Sequence, residues 1–203
     1  MKIVIVDYGM GNIKSVTSAL KYLRVDDILL SNDIVDLKSA DKLILPGVGS
    51  FAKAMGNIKK LNLDEVLKTI VLEDKKPILG ICLGMQLMAT ASEEDGFTKG
   101  LNFITASINK FNIENLKVPH VGFNQVTFHQ NSKLYEGLKD QSDFYFTHSF
   151  QMQSKQNINQ STCNYGNDFI VSYEIDNIAG VQFHPELSQT NGLKLLENFI
   201  KNF

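Results

Sequence analysis

The feature that most constrains this chain is the alternation in its first half of short, almost wholly apolar runs with amphipathic stretches of helical period. Lys2–Asp7, Asp27–Ser31, Lys42–Leu45 and Pro77–Ile81 are rich in Ile, Leu and Val, as strands buried on both faces must be. Between them, Asn12–Leu23 places Ile13, Val16, Leu20 and Leu23 on one side of a helix. Phe51–Lys60, Asp64–Glu73 and Leu83–Ala91 also read as helices. Strand–helix alternation of this kind predicts a mostly parallel central sheet with helices on both faces. In the second half, Phe103–Phe111, His120–His129, Phe144–Met152 and Phe169–Tyr173 carry β-branched and aromatic residues between turns. They predict antiparallel or mixed strands added to the same sheet, before a last buried strand at Ile178–Phe183 and an amphipathic helix at Gly192–Phe203. With 203 residues and no repeat or linker, one α/β domain is expected.

Charge and composition exclude several function classes. The net charge is -2, and of 20 basic residues only Arg24 is an arginine. Neither a nucleic-acid surface nor a polybasic membrane patch is expected from that balance. No run approaches the roughly 20 apolar residues that span a bilayer. Cys82 and Cys163 cannot build a disulfide framework, and no Cys/His group has zinc spacing, so neither a metal nor a cofactor is expected. The N-terminus does not read as a signal peptide, and the expected compartment is cytoplasmic.

The segment Gly80-Ile81-Cys82-Leu83-Gly84 follows an apolar strand and opens a helical pattern, the setting of a nucleophile elbow with cysteine in place of serine. The flanking glycines permit a tight turn, the start of a helix favours the thiolate, and the N–H of Leu83 points toward a developing oxyanion. A buried packing cysteine is the alternative. Cys163, in a strand-like stretch, reads as structural. A cysteine nucleophile needs a base and the base an orienting group. His184-Pro185-Glu186 ends the last strand, and residues two apart in an extended chain share a side, so Glu186 can hold one ring nitrogen of His184. A surface turn is the alternative there. His148 competes as the base but has no carboxylate beside it in sequence. In Pro46-Gly47-Val48-Gly49 two glycines free the peptide of Val48 to serve as a second oxyanion donor, unless the segment is an ordinary turn or a phosphate loop. Its spacing fits neither a Walker motif nor GxGxxG.

Together these segments resemble the class I (triad) glutamine amidotransferases: GICLGMQ at Gly80–Gln86, PGVG at Pro46–Gly49 and GVQFHPELS at Gly180–Ser188. Within that class the chain is most similar to glutaminase subunits of imidazole glycerol phosphate synthases, through DYGMGN at Asp7–Asn12, VPHVGFN at Val118–Asn124 and FYFTHSF at Phe144–Phe150. The resemblance implies a single amidotransferase domain of flavodoxin-like type over residues 1–203. It implies that Cys82 attacks the side-chain amide of L-glutamine, His184 moves protons and Glu186 orients His184. Val48 and Leu83 would supply the oxyanion donors, and Gly49, Gln86, Thr147, His148 and Ser149 would hold the substrate. It further implies a heterodimer with a (βα)8-barrel cyclase that receives the ammonia, contacted through Asn12, Pro119, His120, Phe123 and Asn124. Two positions depart from the usual pattern: Phe123 stands where the family generally has Trp, and Leu187 where it generally has Lys or Arg. A second reading therefore keeps the glutaminase and gives its ammonia to a surface-sugar amidotransferase. A cysteine peptidase or related hydrolase would also use an elbow cysteine, often followed at once by a histidine, where this chain has Leu83. A non-catalytic flavodoxin-like module would have no use for the cysteine and the His-x-Glu pair together.

Overall fold

A computed structural model describes every residue except Asn115. The strands are β1 (Lys2–Val6), β2 (Asp27–Ser31), β3 (Lys42–Leu45), β4 (Ile78–Ile81), β5 (Ala91–Ser92), β6 (Thr98–Lys99), β7 (Ser107–Lys110), β8 (His120–Val126), β9 (Ser142–His148), β10 (Phe150–Gln153), β11 (Ser161–Tyr165), β12 (Asn167–Ile175) and β13 (Ile178–Val181). The helices are α1 (Ile13–Tyr22), α2 (Ile34–Ser39), α3 (Phe51–Lys60), α4 (Leu63–Lys68), α5 (Leu83–Leu87) and α6 (Gln189–Asn202). Among the described residues, eleven strands form one sheet, in the order β2-β1-β3-β4-β13-β12-β10-β7-β5-β6 with β11 paired to β12. The β2-β1-β3-β4-β13 half is parallel throughout. Beyond it β13–β12, β12–β10 and β10–β7 are antiparallel.

The alternation of side chains along each strand builds two cores. Val4, Val6, Leu43 and Leu45 face one way and pack with Phe51, Ile58 and Leu67 of α3 and α4. Ile3, Ile5, Ile44, Leu79 and Ile81 face the other, against Val16 and Leu20 of α1 and Leu195, Leu196 and Phe199 of α6. A helix layer on each face is what a parallel sheet with apolar strands on both sides requires.

Several expectations are corrected. The second-half strands do not all join the main sheet: β8 and β9 pair with each other as a separate two-stranded antiparallel ribbon. The reason lies in their amphipathic character. β8 alternates buried and exposed positions, while β9 turns Phe144 and Phe146 inward to stack near Phe183 at ring separations of 4.2 and 5.6 Å. The ribbon thus buries one face over the α6-side core and leaves the other open. The helix after Cys82 stops at Leu87 rather than continuing to Ala91. Its following carbonyls are taken by the next segment, Leu101 N donating to Leu87 O at 2.8 Å and Phe103 N to Met88 O at 2.9 Å. For the same reason only Ser107–Lys110 of Phe103–Phe111 is a strand. The helix expected over Asp64–Glu73 is α4 followed by a π-helical turn at Thr69–Glu73. The short helix α2, not anticipated, is capped by Asp33, whose carboxylate accepts from Val35 N at 2.7 Å. No helix among the described residues is long and apolar enough to cross a membrane.

Candidate active site

The parallel strands end level, Val181 beside Ile81 and Leu45 beside Gly80. The residues that follow them therefore meet at the carboxyl edge of the sheet, where open α/β sheets place their sites. β4 delivers Cys82, β3 delivers Pro46–Gly49, and β13 delivers Gln182 to Glu186.

Cys82 sits at φ +54, ψ −110, between β4 and α5. A non-glycine residue held there stores about 1–3 kcal/mol of strain. The hold is a hydrogen bond from its N–H to Val181 O at 2.8 Å and the close approach of the neighbouring backbones. A Cβ on Gly84 would lie 1.7 Å from Leu45 O, so the elbow and the oxyanion loop can adjoin only without it. Gly84→Ala is expected to destabilise the protein by about 3 kcal/mol or more, read as a lowered urea midpoint. An unchanged midpoint would show that the two turns do not press together. Gly47 is equally confined, a Cβ there falling 2.5 Å from the Tyr8 hydroxyl. That hydroxyl is buried and donates to Pro46 O at 2.6 Å, anchoring the peptide just before the loop. Burial first, and the nearby Cys82 second, raise the Tyr8 phenol well above its ordinary value, so it remains a neutral donor.

His184 Nδ1 lies 2.9 Å from Glu186 Oε1. The acid's side chain is fully buried, and Asn12 Nδ2 donates to the same oxygen at 3.2 Å. Burial alone would strip the proton from His184. Contacts with Cys82 and Glu186 outweigh it and raise the imidazole to about 10. His184 Nε2, on the other side of the ring, is buried and has no hydrogen-bond partner among the described residues. Cys163 is the contrast. It is buried in β11, and burial, helped by Asp168, pushes its thiol up to about 12, as befits an inert structural cysteine.

A cavity of about 350 Å³ opens onto Cys82. Its wall includes His184, Val48, Gly49, Leu83, Gln86, Thr147, His148 and Ser149, so every residue named for catalysis, oxyanion or substrate meets there except Glu186, which stands behind His184. Two residues not anticipated also belong to the site. Glu94 lines the cavity and accepts from Phe51 N at 2.9 Å, and burial raises its carboxyl above the ordinary value. Nothing in the run Glu93-Glu94-Asp95 marks it out in sequence. Gln182 is fully buried, with Nε2 3.7 Å from Cys82 Sγ and Oε1 accepting from Gln86 Nε2 at 2.8 Å. The period-two argument that paired His184 with Glu186 reaches Gln182 if carried one step back.

Of the residues assigned to a partner, Pro119 and Phe123 are exposed, Phe123 by 50%. Asn12 turns its amide inward to Glu186. Asn124 is half-buried and donates to Asn164 O at 3.1 Å. His120 is a correction: it is only 2% exposed, stacked between Phe146 and Tyr165 at 4.8 and 4.0 Å. As the first inward position of β8 it cannot meet a partner directly. No group of three or more acidic, Cys or His residues suited to a metal ion occurs among the described residues.

The class I glutamine amidotransferase family model matches residues 4–203. "Imidazole glycerol phosphate synthase subunit HisH 1" of Campylobacter jejuni strain RM1221 is 47% identical over 200 residues, covering 98% of this chain and 99% of that protein. "Imidazole glycerol phosphate synthase subunit HisH 2" of Methanococcus maripaludis is 48% identical over 202 residues, covering 98% of each. A solved glutamine amidotransferase shares the fold with a TM-score of 0.73 at 18% identity, covering 97% of this chain and 96% of that one. The chain belongs to the class I glutamine amidotransferases, and within them to the family of HisH subunits.

Proposed function

We propose that this chain is the glutaminase subunit of an imidazole glycerol phosphate synthase of histidine biosynthesis, and that it passes ammonia to a (βα)8-barrel cyclase forming imidazole glycerol phosphate and AICAR. The observation that carries the chemistry is the convergence of Cys82, His184 and the glycine-flanked Val48 loop on one cavity. The relatives' names, at 47% and 48% identity over nearly whole chains, support the recipient.

In this reading the Cys82 thiolate adds to the side-chain amide carbon of L-glutamine. The new C–S bond pushes the carbonyl electrons onto oxygen, which the N–H groups of Val48 and Leu83 receive. His184 gives its proton to the amide nitrogen, the C–N bond breaks, and ammonia leaves a γ-glutamyl thioester. His184, now neutral, takes a proton from water, whose oxygen adds to the thioester carbon; the C–S bond breaks, releasing glutamate and returning the Cys82 thiolate beside a protonated His184. Glu94 suits the α-ammonium group of the substrate, being the one carboxylate on the cavity wall among the described residues.

The oxyanion loop invites control by a partner. Val48 is 42% exposed between Gly47 and Gly49, Gly49 having φ +103, so its peptide can turn at little cost. The loop runs into α3, whose start is latched to a second loop: Ser50 Oγ donates to Asp95 Oδ2 at 3.1 Å beside the Phe51–Glu94 bond. One missing oxyanion donor costs about 100- to 1,000-fold in rate. Partner binding that favours the donor-in state would restore it by a population shift. Glutamate release is therefore expected to rise by about that factor from the chain alone to the complex with cyclase and its acceptor ligand. Equal rates in all three states (alone, with partner, with partner and ligand) would sink the control, and no release in any of them would sink the glutaminase reading.

A second recipient, a sugar-modifying synthetase, is favoured by one observation. Leu187, beside Glu186, is 41% exposed where the resemblance leads one to expect a basic residue. Co-purification with each candidate synthase, expressed from the neighbouring genes, decides between them.

A further inference from the structure

His120 and His148 face each other directly across the β8–β9 ribbon, and neither has a part in the triad. His120 Nδ1 lies 3.1 Å from His148 Nε2, and His148 Nδ1 lies 2.8 Å from Phe150 O. A carbonyl oxygen only accepts, so His148 carries its proton on Nδ1 and offers the lone pair of Nε2. His120 must then carry its own proton on Nδ1, leaving Nε2 to accept from Asn124 Nδ2 at 3.4 Å. The direction of every bond is fixed from Asn124 to the Phe150 carbonyl.

That carbonyl stands where the chain leaves the ribbon at His148 and enters the main sheet at Phe150, and these residues form one wall of the glutamine cavity. It also accepts from Gln86 Nε2 at 3.4 Å, and Gln86 continues through Gln182 to Cys82 Sγ. One buried chain of hydrogen bonds thus joins the ribbon, the cavity wall and the nucleophile.

We infer that His120 is a positioning residue for glutamine binding: by donating to His148 Nε2 it fixes the His148 ring, which holds the Phe150 carbonyl and so the shape of the cavity wall. The inference rests on the glutaminase reading. Burial lowers His120 to about 4 and His148 to about 3, the latter further opposed by the charge of His184. Both rings are neutral when His184 is protonated, which is what the one-donor, one-acceptor chain requires. The outward neighbours of His120, Val121 and Phe123, are exposed, so contact on the outer face of the ribbon would bear on the same strand.

The test uses the complex with the synthase partner. His120→Phe keeps the stack between Phe146 and Tyr165 and removes the donor. The wall holds substrate and transition state alike, so its loosening acts on KM. The expected result is a rise in glutamine KM of about tenfold with kcat within about threefold, on the scale of one buried hydrogen bond. His120→Asn, which returns an N–H near the Nδ1 position, is expected to bring KM back to within about threefold. An unmoved KM in a folded His120→Phe protein overturns the inference, as does failure of His120→Asn to restore it. Nitrogen-15 spectra of the unaltered chain decide the same point should the variants not fold. Both rings are expected as neutral Nδ1–H tautomers, and an Nε2–H form of either overturns the proposal. Wild-type complexes that hydrolyse no glutamine would instead overturn the underlying reading.

Discussion

Cys82→Ala is expected to reduce glutamine-dependent turnover by at least about 10⁴-fold, the scale of loss when the nucleophile of a catalytic unit is removed. Ammonia-dependent turnover by the partner should remain intact. The effect is specific because the two cysteines sit in opposite settings. Cys82 is 6% exposed at the mouth of the cavity, held in a strained turn with a protonated His184 beside it. Cys163 is buried inside β11 with its thiol pushed up to about 12, so it offers almost no nucleophile near neutral pH. Cys163→Ala should leave kcat and KM unchanged and cost about 1 kcal/mol of stability. A glutamine-site electrophile should accordingly add its mass to the peptide carrying Cys82 and to no other cysteine. Turnover of glutamine by Cys82→Ala at more than a few per cent of the normal rate would remove the central claim.

What the sequence made legible follows from how local each signal is. The elbow is legible because strand, turn and helix start all lie within Pro77–Leu87, and both glycines flanking Cys82 answer to close packing: a Cβ on Gly84 would lie 1.7 Å from Leu45 O, and one on Gly80 would lie 2.7 Å from Met85 N. The His184–Glu186 pair was readable through the period of an extended chain. Residues whose role depends on tertiary approach were not. Tyr8 meets Pro46 across 38 positions, and Glu94 meets Phe51 across 43. Neither carries a pattern that points so far. His120 was misread because its neighbours Pro119 and Phe123 do face outward; only the phase of β8, fixed by pairing with β9, turns it inward. The ribbon itself was misplaced for a related cause. Alternation shows that a strand has one buried face but not which layer buries it, and Phe144 and Phe146 found theirs against Phe183 rather than at a sheet edge.

His184→Ala is expected to abolish glutamine hydrolysis as fully as Cys82→Ala, because residues that act as one unit do not contribute additively. Glu186→Gln should leave more, a loss of about 10²- to 10⁴-fold, since orientation by Asn12 and the surrounding burial survives. Its pH profile carries the sharper information. Burial opposes the His184 charge, and the Cys82 and Glu186 contacts overcome it, raising the imidazole to about 10. Removing the carboxylate charge removes part of what raises it, so the folded-state value falls toward the ordinary histidine range. The proton that His184 must deliver to the departing nitrogen is then lost at lower pH. The alkaline limb of kcat/KM should therefore move to lower pH in Glu186→Gln, while Asn12→Ala, which removes only the 3.2 Å bond to Glu186 Oε1, should shift it less. His148 supplies the control for the choice of base. Its ring is held neutral by burial and its Nδ1–H is committed to Phe150 O, so it has no proton to deliver to the leaving group. An alkaline limb that stays in place in Glu186→Gln would separate the carboxylate from the proton transfer. A His148→Ala protein as inactive in kcat as His184→Ala would transfer the role of base to His148.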